Sequence, residues 1–455
     1  MMKRLTLMMM MAAATVFATA QTLCEDRVPP YDQTVAEEFA ANKFLSASNY
    51  LEYDRQLTKQ ALTPAPAGYK PFYLSHYGRH GSRWLIAKDS YTSVVEPMRK
   101  AQKYGKLTAK GEEVLAQLEA FFPTTIDRLG DLTTVGERQH HGIGRRMAQN
   151  FPEIFKSKDV TIDARSTVVV RCILSMVAEC EELMAANPTA RIHNDVSESL
   201  QYYLNQPRTG LVKAMAGKGR EIRKQHNNRQ QADRLMHLLF NDQQFVKDSL
   251  RAGSIMYNMF EIATNMQSHD TDIDLYPLFT PEEIIEMWRT RNVGWYIDYG
   301  PAPQTGGVMP FSQRNLLRNI IETADTVSRT QATLRFGHEV CVMPLACLLE
   351  LDSCGAAVSN LDKLEHHWRN YRIYPMGSNI QLIFYRPDNA ANAECPMADR
   401  QDILVKALLN EQECLLPIPT TQYPYYRWSE LRQYYLDKLE RFDQMEREYL
   451  EKEKN

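Results

Sequence analysis

The stretch Phe72-Tyr73-Leu74-Ser75-His76-Tyr77-Gly78-Arg79-His80-Gly81-Ser82-Arg83 decides how this chain is read. Its first half is short, rich in aromatics and bounded by Pro71 and Gly78, which predicts a buried β-strand over 72–77. The second half changes character at once, with glycines around a histidine and arginines on both sides. Glycine lets the backbone turn tightly and leaves room for a bound group. In open α/β sheets, ligands sit beyond the carboxyl ends of the strands, so Arg79, His80 and Arg83 are expected to project into a crevice. Two guanidiniums beside one imidazole make a poor core, because unpaired buried charge is costly. They make a good seat for a doubly charged anion. A phosphoryl group needs fixed positive charge around its oxygens and a nucleophile in line with its phosphorus. A neutral imidazole can be that nucleophile and form a phosphohistidine. The guanidiniums disfavour the imidazolium and so help keep His80 neutral in mildly acidic solution. The competing reading is a solvent-facing Arg/His loop.

Working outward, residues 90–121 read as helical, with Leu115, Leu118 and Phe122 on one face. Val160–Ala164 alternates apolar and polar residues and reads as a strand, after which Ser166 or Thr167 is expected to cap a helix running to Ala186. Residues 191–311 differ in texture, being rich in Met, Tyr, Asn and Gln, and read as a mostly helical insertion. Strand patterns return at Ala332–Phe336 and Asn379–Tyr385, and Ala407–Leu409 with Leu415–Pro417 around Asn410-Glu411-Gln412 suggests a hairpin. An amphipathic helix from Ser429 closes the chain, with Leu431, Tyr435, Leu439 and Phe442 in one stripe. Strands alternating with helices predict an α/β sandwich core, residues 21–190 and 312–455, interrupted by the helical insertion at 191–311.

Two further groups carry chemistry. Gly337-His338-Glu339 follows the strand ending at Phe336, where a second phosphate ligand and a general acid could reach the same crevice. A His-Glu pair capping the next helix is the alternative. Arg171 lies early in the helix after Thr167, where a helix amino terminus attracts anions, although an ordinary surface arginine fits the same position. Arg165 is a weaker candidate.

The N-terminus adds a compartment. Lys3 and Arg4 precede the apolar run Leu5–Ala20, which closes on Ala18-Thr19-Ala20, the pattern of a secretory signal peptide cleaved after residue 20. No later segment is long and apolar enough for a membrane span, so an exported protein, periplasmic or extracellular, is expected. The eight cysteines could form disulfides there, with Cys395 and Cys414 one candidate pair, or serve as small buried hydrophobes. No CxxC occurs, so metal-ligand spacing of that kind is missing. A net charge of −3 gives no global reason to expect a nucleic-acid partner.

These residues together resemble the histidine phosphatase superfamily, in the branch of histidine acid phosphatases, phytases and multiple inositol polyphosphate phosphatases. Arg79-His80-Gly81-Ser82-Arg83 is similar to its RHGxR signature, and Leu132-Thr133-Thr134-Val135-Gly136-Glu137-Arg138-Gln139 to its LTxxGxxQ segment. Ser166–Ser175 resembles its third-arginine helix, Gly337-His338-Glu339 its second His and acid, and Tyr374–Asn379 a stretch before a late core strand. The resemblance spans nearly all of the chain after residue 20. It implies His80 as the phosphorylated nucleophile, with Arg79, Arg83, Arg171 and His338 binding phosphate. Glu339 would be the proton donor, and neither a metal nor another cofactor is needed. It also implies an α/β core with an inserted helical domain. The family carries His-Asp or His-Ala-Glu where this chain has His338-Glu339-Val340, and Trp84 follows the signature where many phytases have Tyr-Pro or Pro.

The insertion bears on substrate. From Lys213 to Arg234 there are seven positive charges, Lys213, Lys218, Arg220, Arg223, Lys224, Arg229 and Arg234, against Glu221 and Asp233. A basic wall with Lys218, Arg220, Arg223 and Lys224 facing the crevice would favour a small polyphosphorylated ester such as an inositol polyphosphate. A solvated helix face is the other reading, and no interleaved aromatics suggest nucleic acid. The alternatives in function are a sugar-phosphate or broad-specificity acid phosphatase, a phosphomutase-type transferase, and a non-catalytic binder of phosphate esters.

Overall fold

Strand β1, Tyr69–Arg79, is buried along most of its length and runs through Pro71 and Gly78 up to the signature. In the computed structural model, which describes residues 30–55, 61–226, 232–388, 397 and 400–454, β1 lies at the centre of one mixed sheet. The other strands are β2 (Thr161–Ser166), β3 (Arg191–Asp195), β4 (Ala332–Gly337), β5 (Asn379–Pro387), β6 (Leu404–Leu409), β7 (Gln412–Glu413) and β8 (Tyr426–Arg427). Their order is β3-β2-β4-β1-β5-β6-β7, with β8 on β6. β3, β2, β4 and β1 are mutually parallel, whereas β5 is antiparallel to β1.

The longer helices are α1 (Lys88–Lys103), α2 (Ala109–Phe121), α3 (Thr134–Asn150), α4 (Val170–Ala186) and α5 (Gly210–His226). They continue with α6 (Ala252–Asn265), α7 (Pro281–Tyr299), α8 (Arg314–Thr326), α9 (Glu339–Leu349) and α10 (Trp428–Lys454). Alternation along β1 feeds both faces of the sheet. Tyr73 and Tyr77 enter a core with Leu317 of α8, Val342 of α9 and Leu431 of α10. Leu74 enters another with Ile143 of α3 and Met176 of α4. The result is the expected α/β sandwich, with the stripe Leu431, Tyr435, Leu439 and Phe442 buried. Among the described residues, no helix is long and apolar enough to cross a membrane.

Some local expectations shift. The helix over 90–121 is two helices, because the chain turns at Gly105 with φ +64°. Neither Ser166 nor Thr167 caps α4, whose cap is Val169, without a side-chain hydrogen bond. Both hydroxyls are drawn elsewhere, Ser166 to a neighbouring carbonyl and Thr167 to His338. The hairpin turns through Asn410 and Glu411, both at positive φ, and its second strand is β7 rather than Leu415–Pro417. The stretch 191–311 opens with β3, which joins the sheet edge, and becomes helical after it. Residues 1–20, Cys24 and Cys395 lie outside the described residues. The other cysteines are buried thiols.

Candidate active site

Sheet register assembles the crevice. Arg79 pairs with Gly337 across β1 and β4, and Ser166 pairs with Phe336 across β2 and β4. Three parallel strands therefore end level, and His80, Thr167 and His338 emerge together at one sheet edge, where the crevice of an open α/β sheet belongs. β5 begins at the same edge, with Asn379 opposite Gly78, so the turn before it closes the crevice from the other side.

The signature loop is held by backbone packing against α3. A Cβ on Gly81 would meet the Gly136 carbonyl oxygen at 2.4 Å, and one on Gly136 would meet the Ser82 carbonyl oxygen at 2.3 Å. No L side chain can be placed at either point without moving main chain. Gly136→Ala should lower stability by about 1–3 kcal/mol and loosen the loop. Thermal melting and phosphate titration of the variant check this, and an unchanged melt with unchanged phosphate affinity would refute it. Polar groups fix the rest of the loop. Ser175 Oγ accepts from the Gly81 amide at 3.2 Å, and Gln139 Oε1 accepts from the Ser82 amide at 2.9 Å. Beneath them, the buried pair His140 Nδ1 and Glu179 Oε1, 2.7 Å apart, ties α3 to α4.

His80 is fully buried, and its Nδ1 lies 2.9 Å from the Gly81 carbonyl oxygen. A carbonyl can only accept, so Nδ1 carries the proton and Nε2 keeps its lone pair. Burial holds His80 well below the ordinary imidazole range. Glu339 opposes that shift, while Arg79 and Arg171 add to it. Arg79 donates Nη1 to the carbonyls of Asn49 at 2.8 Å and Tyr374 at 2.9 Å, which fixes its fork. Its buried Nη2 and Arg83 Nε find no hydrogen-bond acceptor among the described residues. Arg83 anchors through Nη1 to the Trp84 carbonyl at 3.0 Å.

The crevice holds a carboxylate. Glu339 Oε2 lies 3.3 Å from Arg79 Nε and 3.4 Å from His80 Nε2, and Oε1 lies 3.7 Å from Arg83 Nη2. Burial alone would raise this carboxyl, but Arg79 and Arg83 outweigh it and hold Glu339 well below the usual range. His338 stands on the far wall, its ring centroid 5.8 Å from that of His80, with Nε2 at 3.3 Å from Thr167 Oγ1. Burial pushes His338 down to about 4. Arg171 is half-buried and donates Nη1 to the Gly130 carbonyl at 3.3 Å. Burial lowers it, and Arg83 and Glu339 are both felt at its guanidinium. Arg165 is turned away, bonded to Asp163 and Tyr203.

The structure thus brings Arg79, His80, Arg83, Arg171, His338 and Glu339 together. Ligand atoms of His80, His338 and Glu339 lie within 4.8 Å of one another, the only such group among the described residues. Three guanidiniums around it oppose a cation and suit an anion. The insertion's basic residues divide. Lys218 and Arg220 are exposed, Arg223 pairs with Asp298 at 3.0 Å, and exposed Lys224 pairs with Glu221 at 2.9 Å. The sequence reading gave Thr167 only as a candidate helix cap, whereas it meets His338. It did not single out Tyr299, which no local motif marks and which folding brings near Glu339.

The profile of the histidine phosphatase superfamily (branch 2) matches residues 78–410. Among solved structures, the chain is similar to the multiple inositol polyphosphate phosphatase of Bifidobacterium longum in complex with phosphate. The identity is 18% and the TM-score 0.65, covering 89% of this chain and 96% of that one. The same enzyme in complex with inositol hexasulfate matches at 16% identity and TM-score 0.65, covering 90% and 96%. The phytase of D. castellii matches at 14% identity and TM-score 0.63, covering 91% of each chain. No curated protein sequence matches.

Proposed function

The chain belongs to the histidine phosphatase superfamily, branch 2, and on that premise we propose that it is an exported phosphomonoesterase acting through a phosphohistidine at His80, with inositol polyphosphates as its substrate class. The observation that carries this reading is the carboxylate of Glu339 seated between Arg79, His80 and Arg83. Guanidiniums that hold one oxyanion beside the His80 ring offer the same donors to the oxygens of a phosphate.

In the proposed reaction the ester phosphate displaces Glu339 and is held by Arg79, Arg83, Arg171 and His338. His80 Nε2 attacks phosphorus, a P–N bond forms and the ester P–O bond breaks. Glu339 gives its proton to the leaving alkoxide. Water then attacks the phosphohistidine, its proton passes to the Glu339 carboxylate, and the P–N bond breaks to release phosphate and restore Nε2.

The resting carboxyl is ionised, so it must gain a proton as substrate arrives. A bound phosphate ester supplies the cause, since its negative charge neutralises the guanidiniums and raises the carboxyl's proton affinity. His80, lowered by burial, stays neutral in acid, so acid conditions suit both groups. The helical part of 191–311 serves in this reading as a cap over the crevice, and the leader 1–20 as the export signal. The substrate class is supported by the inositol polyphosphate phosphatase and phytase likenesses. The test is phosphate release from inositol hexakisphosphate and from an aryl phosphate, with a chelator present. Release from both, faster from the former, is expected. No release from either by folded protein would overturn the reading.

A further inference from the structure

The two peptides that flank Gly81 orient the nucleophile, and two helices hold them. The Gly81 carbonyl accepts from His80 Nδ1 at 2.9 Å, and the Ser82 amide of the same peptide unit donates to Gln139 Oε1 of α3 at 2.9 Å. On the other side, the Gly81 amide donates to Ser175 Oγ of α4 at 3.2 Å. Gln139 is itself fixed, its Nε2 donating to Glu52 Oε1 at 2.9 Å and to Ser82 Oγ at 3.0 Å. A slide of α3 against α4 therefore tilts the peptide between Gly81 and Ser82, and the His80 ring turns with it.

Polar side chains in an apolar setting join these helices. His140 follows Gln139, and Glu179 stands one turn after Ser175. Both side chains are wholly buried, with Nδ1 and Oε1 2.7 Å apart. The backbones close in beside them, since a Cβ on Gly144 would meet the Glu179 carbonyl oxygen at 2.7 Å. The surrounding core holds Ile143, Met147 and Met176, and the Phe336 ring lies 6.2 Å from that of His140 and 5.2 Å from that of His76. His76 comes from β1, its Nε2 3.9 Å from Glu179 Oε2. Its ring lies against the strand's last glycine, where a Cβ on Gly78 would meet Cε1 at 2.6 Å. Burial pushes His76 down to about 4; Glu179 opposes that shift, while His140 and Arg335 add to it.

Apolar side chains would fill this space without a desolvation penalty. A buried carboxylate is destabilising unless it is paired, and Glu179 Oε2, His140 Nε2 and both nitrogens of His76 find no hydrogen-bond partner among the described residues. What the group supplies is direction, because packing sets how near two helices lie, whereas a buried hydrogen bond sets their register. We propose that Glu179, bonded to His140, is a positioning residue for the nucleophile. It holds α3 and α4 in the register at which Gln139 and Ser175 take the Ser82 and Gly81 amides, and so keeps His80 Nε2 in line with phosphorus. The inference rests on the phosphatase reading and names the pair that aims its nucleophile.

Glu179→Gln keeps an acceptor of the same length for His140. Glu179→Leu combined with His140→Phe replaces the pair by apolar side chains, a change that folded proteins often tolerate or gain from. This double variant should melt at or above the temperature of the unaltered protein and bind inorganic phosphate as well, since Arg79 keeps its carbonyl anchors. Its kcat should nevertheless fall about 10–100-fold, the scale for a reacting group misplaced by about 1 Å or less. The fall should be alike on inositol hexakisphosphate and an aryl phosphate, with KM little changed, and Glu179→Gln should retain most of the turnover. The His80 Nδ1 proton, a downfield resonance identified by its loss in His80→Ala, should exchange with water faster in the double variant than in the unaltered protein. An unaltered kcat in the double variant, a loss as deep in Glu179→Gln, or an unchanged Nδ1 exchange would overturn the proposal. So would a double variant that melts well below the unaltered protein or does not fold, because the pair would then serve the fold and not the nucleophile. Failure of the phosphatase reading looks different: the unaltered protein would release no phosphate, while the His80 proton would still exchange faster in the double variant.

Discussion

His80→Ala should abolish phosphate release from inositol hexakisphosphate and from an aryl phosphate alike, with turnover down by on the order of 10⁴–10⁶, the scale seen when an enzyme loses its nucleophile. The loss should not depend on the leaving group, because the missing atom is the one that bonds to phosphorus. Nδ1 is committed to the Gly81 carbonyl at 2.9 Å, and Nε2 faces the Glu339 carboxylate that Arg79 and Arg83 hold. A radiolabelled phosphate ester quenched in alkaline detergent should leave label on the unaltered protein and none on the variant. Phosphate should still bind to the variant, since Arg79 keeps its anchors on Asn49 and Tyr374. Substantial turnover in the variant would place the nucleophile elsewhere and end the phosphohistidine reading.

Glu339→Gln should have two opposite effects. Hydrolysis of the hexakisphosphate should fall about 10²–10⁴-fold, the usual loss when a general acid is removed. An aryl phosphate, whose leaving group needs less help from a proton, should lose less. Phosphate itself should bind more tightly, because the resting carboxylate lies 3.3–3.7 Å from the groups the anion must reach and competes with it. Equal or weaker phosphate binding in the variant would show that Glu339 does not occupy the anion's place.

The same substitution should change stability with pH. The folded protein holds Glu339 below the ordinary carboxylate range, through Arg79 and Arg83 and against burial. Its stabilising contribution is therefore fully present above the unfolded pKa, about 4.3, and is lost as pH falls through the lower folded value. Glu339→Gln should melt earlier near neutrality, lack that part of the acid loss, and gain more from added phosphate. The groups facing Glu339 are Arg79, His80 and Arg83 from β1 and its loop, Arg171 and Cys172 from α4, and His338 and Cys341 around the start of α9. Tyr299 at the end of α7 and Tyr374 in the turn before β5 face it as well.

The resemblance named Glu339 as the donor but could not show where its carboxylate rests. The length of a glutamate directly after His338 lets that carboxylate reach Arg79 and Arg83. The basic residues of 213–234 illustrate the opposite limit. Their charge was plain in sequence, yet Arg223 and Lys224 are spent on Asp298 and Glu221. Arg208, outside that run, is held over Tyr299.

The sequence by itself determined the turn at Arg79-His80-Gly81-Ser82-Arg83 after a buried strand, the α/β class and most of the core strands. Local rules govern these features, because aromatic and β-branched runs make strands and glycine marks tight turns. Only the tertiary structure decided what meets what. The register of β1 against β4 and of β2 against β4 levels three strand ends, so that His80, Thr167 and His338 share one edge. Close backbone packing of Gly81 on Gly136 sets the loop on α3. The Leu204 carbonyl finds Tyr77 and Cys341, groups far away in the chain. Such contacts are set by close packing between distant segments, for which no local pattern of residues carries a signal.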